Sequence, residues 1–406
     1  MIVEIRPGQA RGTVAAPPSK SMAHRLLICA GLAKGISHIR GVDFNRDILA
    51  TIDCLNALGA VCSVEGDTVT VCGVDPCNAK PTGPLCCRES GSTLRFFIPL
   101  ALLCGESTRF TGTQKLMSRP LGVYAQLCAD QGFAFGQDKD QAVVKGKLES
   151  GNFTIPGDIS SQFITGLLFA LPLAAGDSRI SIAPPVESRS YIDLTLQALR
   201  AFGVCARWQD DYTLVIPGGQ RYQPADMVVE GDYSGAAFLA ALNALGGEVN
   251  ITGLDPDSLQ GDKVYAQHLR SLCQGCPTID ISDCPDLGPI LFAVAAAKQG
   301  AAFTGTRRLK IKESDRAAAM AQELAVFGAE VEIGENTVTV CAGEFHRPAR
   351  PLQGHNDHRI VMSLAVLLTL TGGTIEGAQA VGKSFPDFFE RLKALGIEVI
   401  SYESDN

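Results

Sequence analysis

A chain of 406 residues with 46% hydrophobic content is long enough for two or three domains with substantial cores, and its formal net charge of -8 excludes a protein that wraps nucleic acid with a net basic surface. The longest apolar runs, Phe96 to Cys104 and Ile360 to Leu370, fall short of the ~20 residues that a bilayer span needs. Small acidic ligands remain open, because local clusters of cations can hold them whatever the total charge.

Met1-Ile2-Val3-Glu4-Ile5 reads as a strand from the first residue rather than as a signal peptide, and the fourteen cysteines are spread through apolar segments. The expectation is a cytoplasmic protein with reduced thiols. The lone pair Cys273 and Cys276 and the vicinal Cys86-Cys87 have no partners at zinc spacing, so both are read as buried structural thiols and no metal site is expected.

Pro17-Pro18-Ser19-Lys20-Ser21-Met22-Ala23-His24-Arg25 sets two cations and two hydroxyls ahead of an apolar run. That pattern predicts a helix N-terminus suited to an anion: Ser19 or Ser21 as cap, unpaired backbone N–H groups, and positive charge from Lys20 and Arg25 at the positive end of the dipole. The chain repeats the device. A polar cap, an apolar helix, a closing Gly and a β-branched strand recur from Ser21, Ser92, Ser161, Ser234, Asp286 and Asp357. Between these copies lies a second pattern, a two-faced helix ending in Gly and then a strand, turn and strand; it shows at Gly59, Gly132, Gly203, Gly275, Gly328 and Gly396. Each unit is therefore close to βαβαββ, with the hairpin after Gly275 cut down to Thr278-Ile279-Asp280-Ile281-Ser282.

The first helix of each unit is apolar nearly all round and is predicted to be buried; the second is two-faced and should cover it. If three units pack into each of two domains, six buried helix starts could converge on one cleft and one polyanionic ligand. Those starts carry Lys20, Ser21 and Arg25; Ser90-Gly91-Ser92-Thr93 with Arg95; Ser160-Ser161-Gln162; Asp232-Tyr233-Ser234; Asp286; and Asp357-His358-Arg359. Further polar clusters precede apolar segments at Ser118-Arg119-Pro120, Glu187-Ser188-Arg189-Ser190-Tyr191, Lys312-Glu313-Ser314-Asp315-Arg316 and Lys383-Ser384-Phe385-Pro386-Asp387.

With these motifs in place, the chain resembles the 5-enolpyruvylshikimate-3-phosphate synthase family (3-phosphoshikimate 1-carboxyvinyltransferase) along essentially its whole length. The resemblance implies a two-domain inside-out α/β barrel, each domain made of three βαβαββ repeats with buried helices whose N-termini face the cleft. Residues 1–18 with 230–406 would form one domain and 19–229 the other. It implies transfer of the enolpyruvyl group of phosphoenolpyruvate to the 5-hydroxyl of shikimate 3-phosphate with release of phosphate, in the shikimate pathway to chorismate and the aromatic amino acids. No cofactor or metal is implied, and no nucleic-acid or membrane partner; the expected state is a monomer.

By motif, the resemblance assigns Lys20, Ser21, Arg25, Ser160, Ser161, Ser188, Tyr191, Asp286 and Lys312 to shikimate 3-phosphate. It assigns Lys20, Gly91, Arg119, Gln162, Arg316, Arg359 and Lys383 to phosphoenolpyruvate, and Asp286, Glu313 and Lys20 to the chemistry. His358 is expected to orient Arg359. Two anions entering an open cleft lined with cations should draw the halves together. Arg308 and Glu89 stand where well-known members carry Asn, while the retained Gly91 implies sensitivity to glyphosate. The related transferase acting on UDP-N-acetylglucosamine pairs its first-helix Lys with Asn and carries a Cys or Asp before the Arg-Pro turn. Here Lys20 precedes Ser21, and Thr111 to Met117 holds neither residue. A non-catalytic anion-binding protein on this scaffold would keep the cations without needing Asp286 and Glu313.

Overall fold

The computed structural model describes residues 1–402. The chain forms two compact units, one of Met1–Ser19 with the segment from Gly231 onward, the other Lys20–Glu230. The first unit thus takes up the chain again where Gly231 bridges to Pro18 and the Asp232 N–H donates to the Pro17 carbonyl at 2.7 Å.

In the Lys20–Glu230 unit three helices are buried almost throughout: Lys20–Leu32, Gly91–Cys104 and Ser161–Ala170. Their apolar circumference leaves no face that favours water, and residues such as Leu27, Phe97 and Leu167 lose all exposure. The amphipathic helices Arg46–Leu58, Gly122–Asp130 and Arg189–Ala201 alternate with them in the chain. Gly59 ends the first of these in a left-handed conformation (φ 110°), which an L side chain would strain. Three four-stranded sheets complete the unit. One runs Leu85–Cys86, Thr108–Thr111, Gln141–Lys145, Ala134–Gln137, with the first pair parallel and the rest antiparallel. The sheet around Ile36–Arg40 takes its fourth strand, Met227–Val228, from the far end of the unit.

The other unit repeats the plan with buried helices Tyr233–Ala244, Gly288–Ala296 and His358–Thr371, which pack on one another. Its outer sheets borrow from the N-terminus. Ile2–Ile5 inserts antiparallel between Gly373–Glu376 and Val399–Tyr402, and Arg11–Ala15 pairs in parallel with Glu248–Thr252.

Several expectations are corrected. The capping side chains are Ser90, Ser160 and Asp232, each ahead of the expected start, because a cap must lie outside helical backbone to accept from an N–H two or three residues on. Asp286 is not a cap; it sits in a 3-10 turn, Pro285–Leu287, leading into the helix. Thr278–Asp280 forms no hairpin but pairs in parallel with Ala301–Thr304, whose antiparallel partner is Thr337–Cys341. Cys273, Cys276 and Cys86 are exposed, not buried; the first two flank the turn after the Tyr265–Gln274 helix, where no core element covers them. Cys87 is buried, with its Sγ 4.0 Å from that of Cys54. Among the described residues no helix is long and apolar enough to cross a membrane.

Candidate active site

In the Lys20–Glu230 unit the first buried helix opens on Lys20, whose Nζ lies 2.9 Å from Asp47 Oδ2. One turn on, Arg25 is buried and braced on three sides: Nη1 donates to the Ser21 carbonyl at 2.7 Å, Nε to Thr195 Oγ1 at 3.0 Å and Nη2 to the Tyr191 carbonyl at 2.9 Å. Its guanidinium lies 5.6 Å over the Phe96 ring, and burial pulls its pKa down to about 10, so it stays charged. Arg25 thereby ties Ser21 to the start of the Arg189–Ala201 helix, where Tyr191 follows a buried, left-handed Ser188 (φ 58°).

A second group forms across two buried helix starts. Arg95 Nη1 donates to Gln162 Oε1 at 2.7 Å, and Gln162 Nε2 donates to Ser92 Oγ at 2.9 Å. Ser160 accepts from the Gln162 N–H, and Ser161 is the first residue of that helix. Gly91 is the first residue of its own helix, and a Cβ there would stand 2.6 Å from Arg119 Nη1 and 3.5 Å from Arg95 Nη1. Lacking a side chain, Gly91 lets the Arg119 guanidinium lie against the open helix end. Gln137 Nε2 holds Arg119 from behind by its carbonyl, at 2.9 Å.

The other unit concentrates charge. Asp286 Oδ1 takes Arg316 Nη1 at 2.8 Å and Lys312 Nζ at 3.3 Å, while its Oδ2 takes Arg359 Nη2 at 2.9 Å. Arg316, only 1% exposed, also donates to Glu313 Oε2 at 2.7 Å and to Asp357 Oδ2 at 2.9 Å. Asp315 caps the Arg316–Leu324 helix through the Ala318 N–H, and Ser314 Oγ turns to Asp357 at 2.9 Å. Asp357 caps the His358–Thr371 helix through the Arg359 N–H. Burial, the largest influence, pushes the Asp357 pKa up, but the charge and hydrogen bond of Arg316, joined by His358, together bring the net direction down. Burial lowers the Lys312 pKa, with Asp286 opposing. Lys383 is buried and donates to the Asn356 carbonyl at 2.8 Å. His358 is buried, its Nδ1 4.0 Å from Asp357 Oδ1. Arg308 turns back to the Ser282 carbonyl.

Sequence reasoning passed over two contributors, Asp47 and Asp262, and left Arg95 without its partner. Asp47 looks like an ordinary first-turn carboxylate favoured by the helix dipole, so nothing in its local sequence marks it as the partner of Lys20. Arg95 lies within a motif already noted, and only the fold sets it on Gln162. Asp262 lies in the 3-10 helix Gly261–Val264 and accepts from Ser234 Oγ, to which Arg359 Nη2 donates at 3.4 Å. Burial, reinforced by Asp286 and opposed by Arg359, pushes the Asp262 pKa up to about 7. In the unfolded chain this carboxyl ionises near 3.8, so between the two values unfolding releases a proton and rising pH favours the unfolded state. Across that window each pH unit costs up to about 1.4 kcal/mol. Asp262→Asn is therefore expected to lose less thermal stability than the parent protein between pH 5 and 7.5, as read by unfolding midpoints. Parallel profiles for the two proteins would contradict this account.

The sequence matches the profile of EPSP synthase (3-phosphoshikimate 1-carboxyvinyltransferase) over residues 5–273 and 273–392. The chain belongs to the EPSP synthase family. Among its relatives, the 3-phosphoshikimate 1-carboxyvinyltransferase of Clostridium kluyveri is 40% identical over 418 residues, covering 98% of each chain. That of Clostridium perfringens strain 13 is 39% identical, over 97% of this chain and 98% of the relative. An EPSP synthase structure from Acinetobacter baumannii superposes with a TM-score of 0.79 at 24% identity, covering 98% of this chain and all of the other. The enolpyruvyl transferase NikO of Streptomyces tendae reaches the same TM-score at 15% identity over 98% of each chain. These likenesses identify the fold as that of EPSP synthases and enolpyruvyl transferases.

Proposed function

We propose that the protein transfers the enolpyruvyl group of phosphoenolpyruvate to the 5-hydroxyl of shikimate 3-phosphate, as a monomeric enzyme of the cytoplasm. The single observation that carries this reading is the family match along nearly the whole chain, and the charged helix starts supply the chemistry. Ser21, Arg25, Ser160, Ser161, Ser188, Tyr191 and Lys312 would hold shikimate 3-phosphate. Gly91, Arg119, Gln162, Arg316, Arg359 and Lys383 would hold phosphoenolpyruvate, with Lys20 touching both.

In the addition step the 5-hydroxyl oxygen bonds to C2 of phosphoenolpyruvate, the hydroxyl proton goes to a base, and the methylene carbon takes a proton. In the elimination step the methyl carbon gives up a proton and the C2–O bond to phosphate breaks. Asp286 is the base for the hydroxyl and Glu313 the group that exchanges protons with the carbon. Both carboxylates are held by cations, Asp286 by Lys312, Arg316 and Arg359, and Glu313 by Arg316. Anionic substrates would draw those cations onto themselves, and the carboxylates would then face the reacting atoms with fewer competing donors.

The test is release of inorganic phosphate from phosphoenolpyruvate on addition of shikimate 3-phosphate. Activity with UDP-N-acetylglucosamine instead, or binding of both anions without turnover, would overturn the reading. A sharper expectation attaches to Gly91→Ala. The new Cβ would push aside the flexible end of Arg119, so KM for phosphoenolpyruvate should rise about tenfold while KM for shikimate 3-phosphate stays within about twofold. Because Ala suits a helix better than Gly by about 0.5–1 kcal/mol, the unfolding midpoint should not fall.

A further inference from the structure

We infer that Glu323, a buried carboxylate behind the charged cluster, is a positioning residue for the phosphoenolpyruvate side of the site; this rests on the roles proposed above for Arg359 and Lys383. Glu323 lies two turns beyond Arg316 on the same helix and has no solvent exposure. A buried carboxylate is costly unless paired and hydrogen-bonded. Its partners all come from one distant segment: Arg350 Nη1 at 3.2 Å, the Gln353 N–H at 3.1 Å and His355 Nε2 at 2.9 Å. The charge is therefore compensated only while residues 350–355 lie along the helix.

That segment ends in a turn with an unusual backbone. His355 and Asn356 are both left-handed, at φ 49° and 52°. Asn and His accept that conformation more readily than most side chains, but two in succession still cost more than right-handed backbone, and contacts from outside hold the turn. It is held at both ends by one helix: Glu323 grips Gln353 and His355 behind it, and Arg316 grips Asp357 in front. Between the two grips lies the Asn356 carbonyl that receives Lys383, and directly after them comes Arg359. With the rear grip released, the turn can relax toward right-handed backbone, which swings the Asn356 carbonyl away from Lys383 and loosens the helix start that carries Arg359.

Initial rates for Glu323→Gln, with each substrate varied at saturation of the other and unfolding midpoints measured alongside, test the inference. KM for phosphoenolpyruvate should rise about tenfold, with KM for shikimate 3-phosphate within about twofold. His355→Asn, which keeps a residue suited to left-handed backbone but shortens the donor to Glu323, should move KM for phosphoenolpyruvate the same way by a smaller factor and covers the case in which Glu323→Gln does not fold. A lowered midpoint with both KM values unchanged would make Glu323 a stability residue only and overturn the inference, as would an equal rise in both. Arg359→Ala and Lys383→Ala separate the two levels. If neither raises KM for phosphoenolpyruvate, the substrate-site reading fails and the inference with it; if both do while Glu323→Gln and His355→Asn do not, the positioning role alone fails.

Discussion

Asp286→Asn is expected to reduce kcat by about 10²–10⁴-fold without raising KM for either substrate. Asp286 is the meeting point of Lys312, Arg316 and Arg359, at 3.3, 2.8 and 2.9 Å. The amide keeps the shape and one acceptor oxygen but has no negative charge and no useful basicity. The three cations, left with less to neutralise them, should attract anionic substrates at least as well as before. Loss of kcat with retained or tightened binding would mark a base that also restrains its neighbours. A kcat within about tenfold of the parent would remove Asp286 from the proton chemistry.

Arg316→Met should act first on stability, lowering it by about 3–5 kcal/mol at neutral pH, because it strips the counter-charge from a carboxylate that has no exposure at all. The sign of the pH dependence follows from Asp357. With Arg316 present, the folded pKa lies below 3.8, so the pair contributes stability above that value and loses it as pH falls through the folded pKa. Without Arg316, burial is left to dominate and disfavours the ionised form, so acid should relieve the variant. The gap between the parent and Arg316→Met is thus expected to narrow as pH falls from 7 toward 4, followed by thermal unfolding. A constant gap would place the value of Arg316 in its packing rather than in its charge.

Much of the architecture was legible in the sequence because its signals are local. Apolar helices with no polar stripe, glycines such as Gly59 and Gly328 at helix ends, and alternating hairpins such as Val61 to Cys72 each depend on a few neighbouring residues. What escaped was nonlocal. No pattern within Ile2–Ile5 specifies strands some 370 residues away as its neighbours, and none in Thr278–Asp280 says that its partner is parallel. The same division holds in the site. Charged residues at helix starts could be singled out, and so could the polar cluster Lys312 to Arg316 ahead of its apolar segment. The pairing of Lys20 with Asp47, and of Glu323 with a turn on another element, exists only once the chain is folded. Asp286 was legible as a charged residue ahead of an apolar helix but not as part of a 3-10 turn, since Pro285 and Gly288 bracket too short a stretch to show a period.

The insertion of Ile2–Ile5 between Gly373–Glu376 and Val399–Tyr402 has a consequence for biosynthesis. As the ribosome lengthens the chain, the Lys20–Glu230 unit has every strand it needs once Met227–Val228 has emerged, and it can fold while the remainder is still being made. Ile2–Ile5 must meanwhile wait without its sheet partners until Gly373–Glu376, and then Val399–Tyr402, have emerged. A premature stop before residue 373 would leave one folded half tethered to a half whose opening strand has no sheet to join.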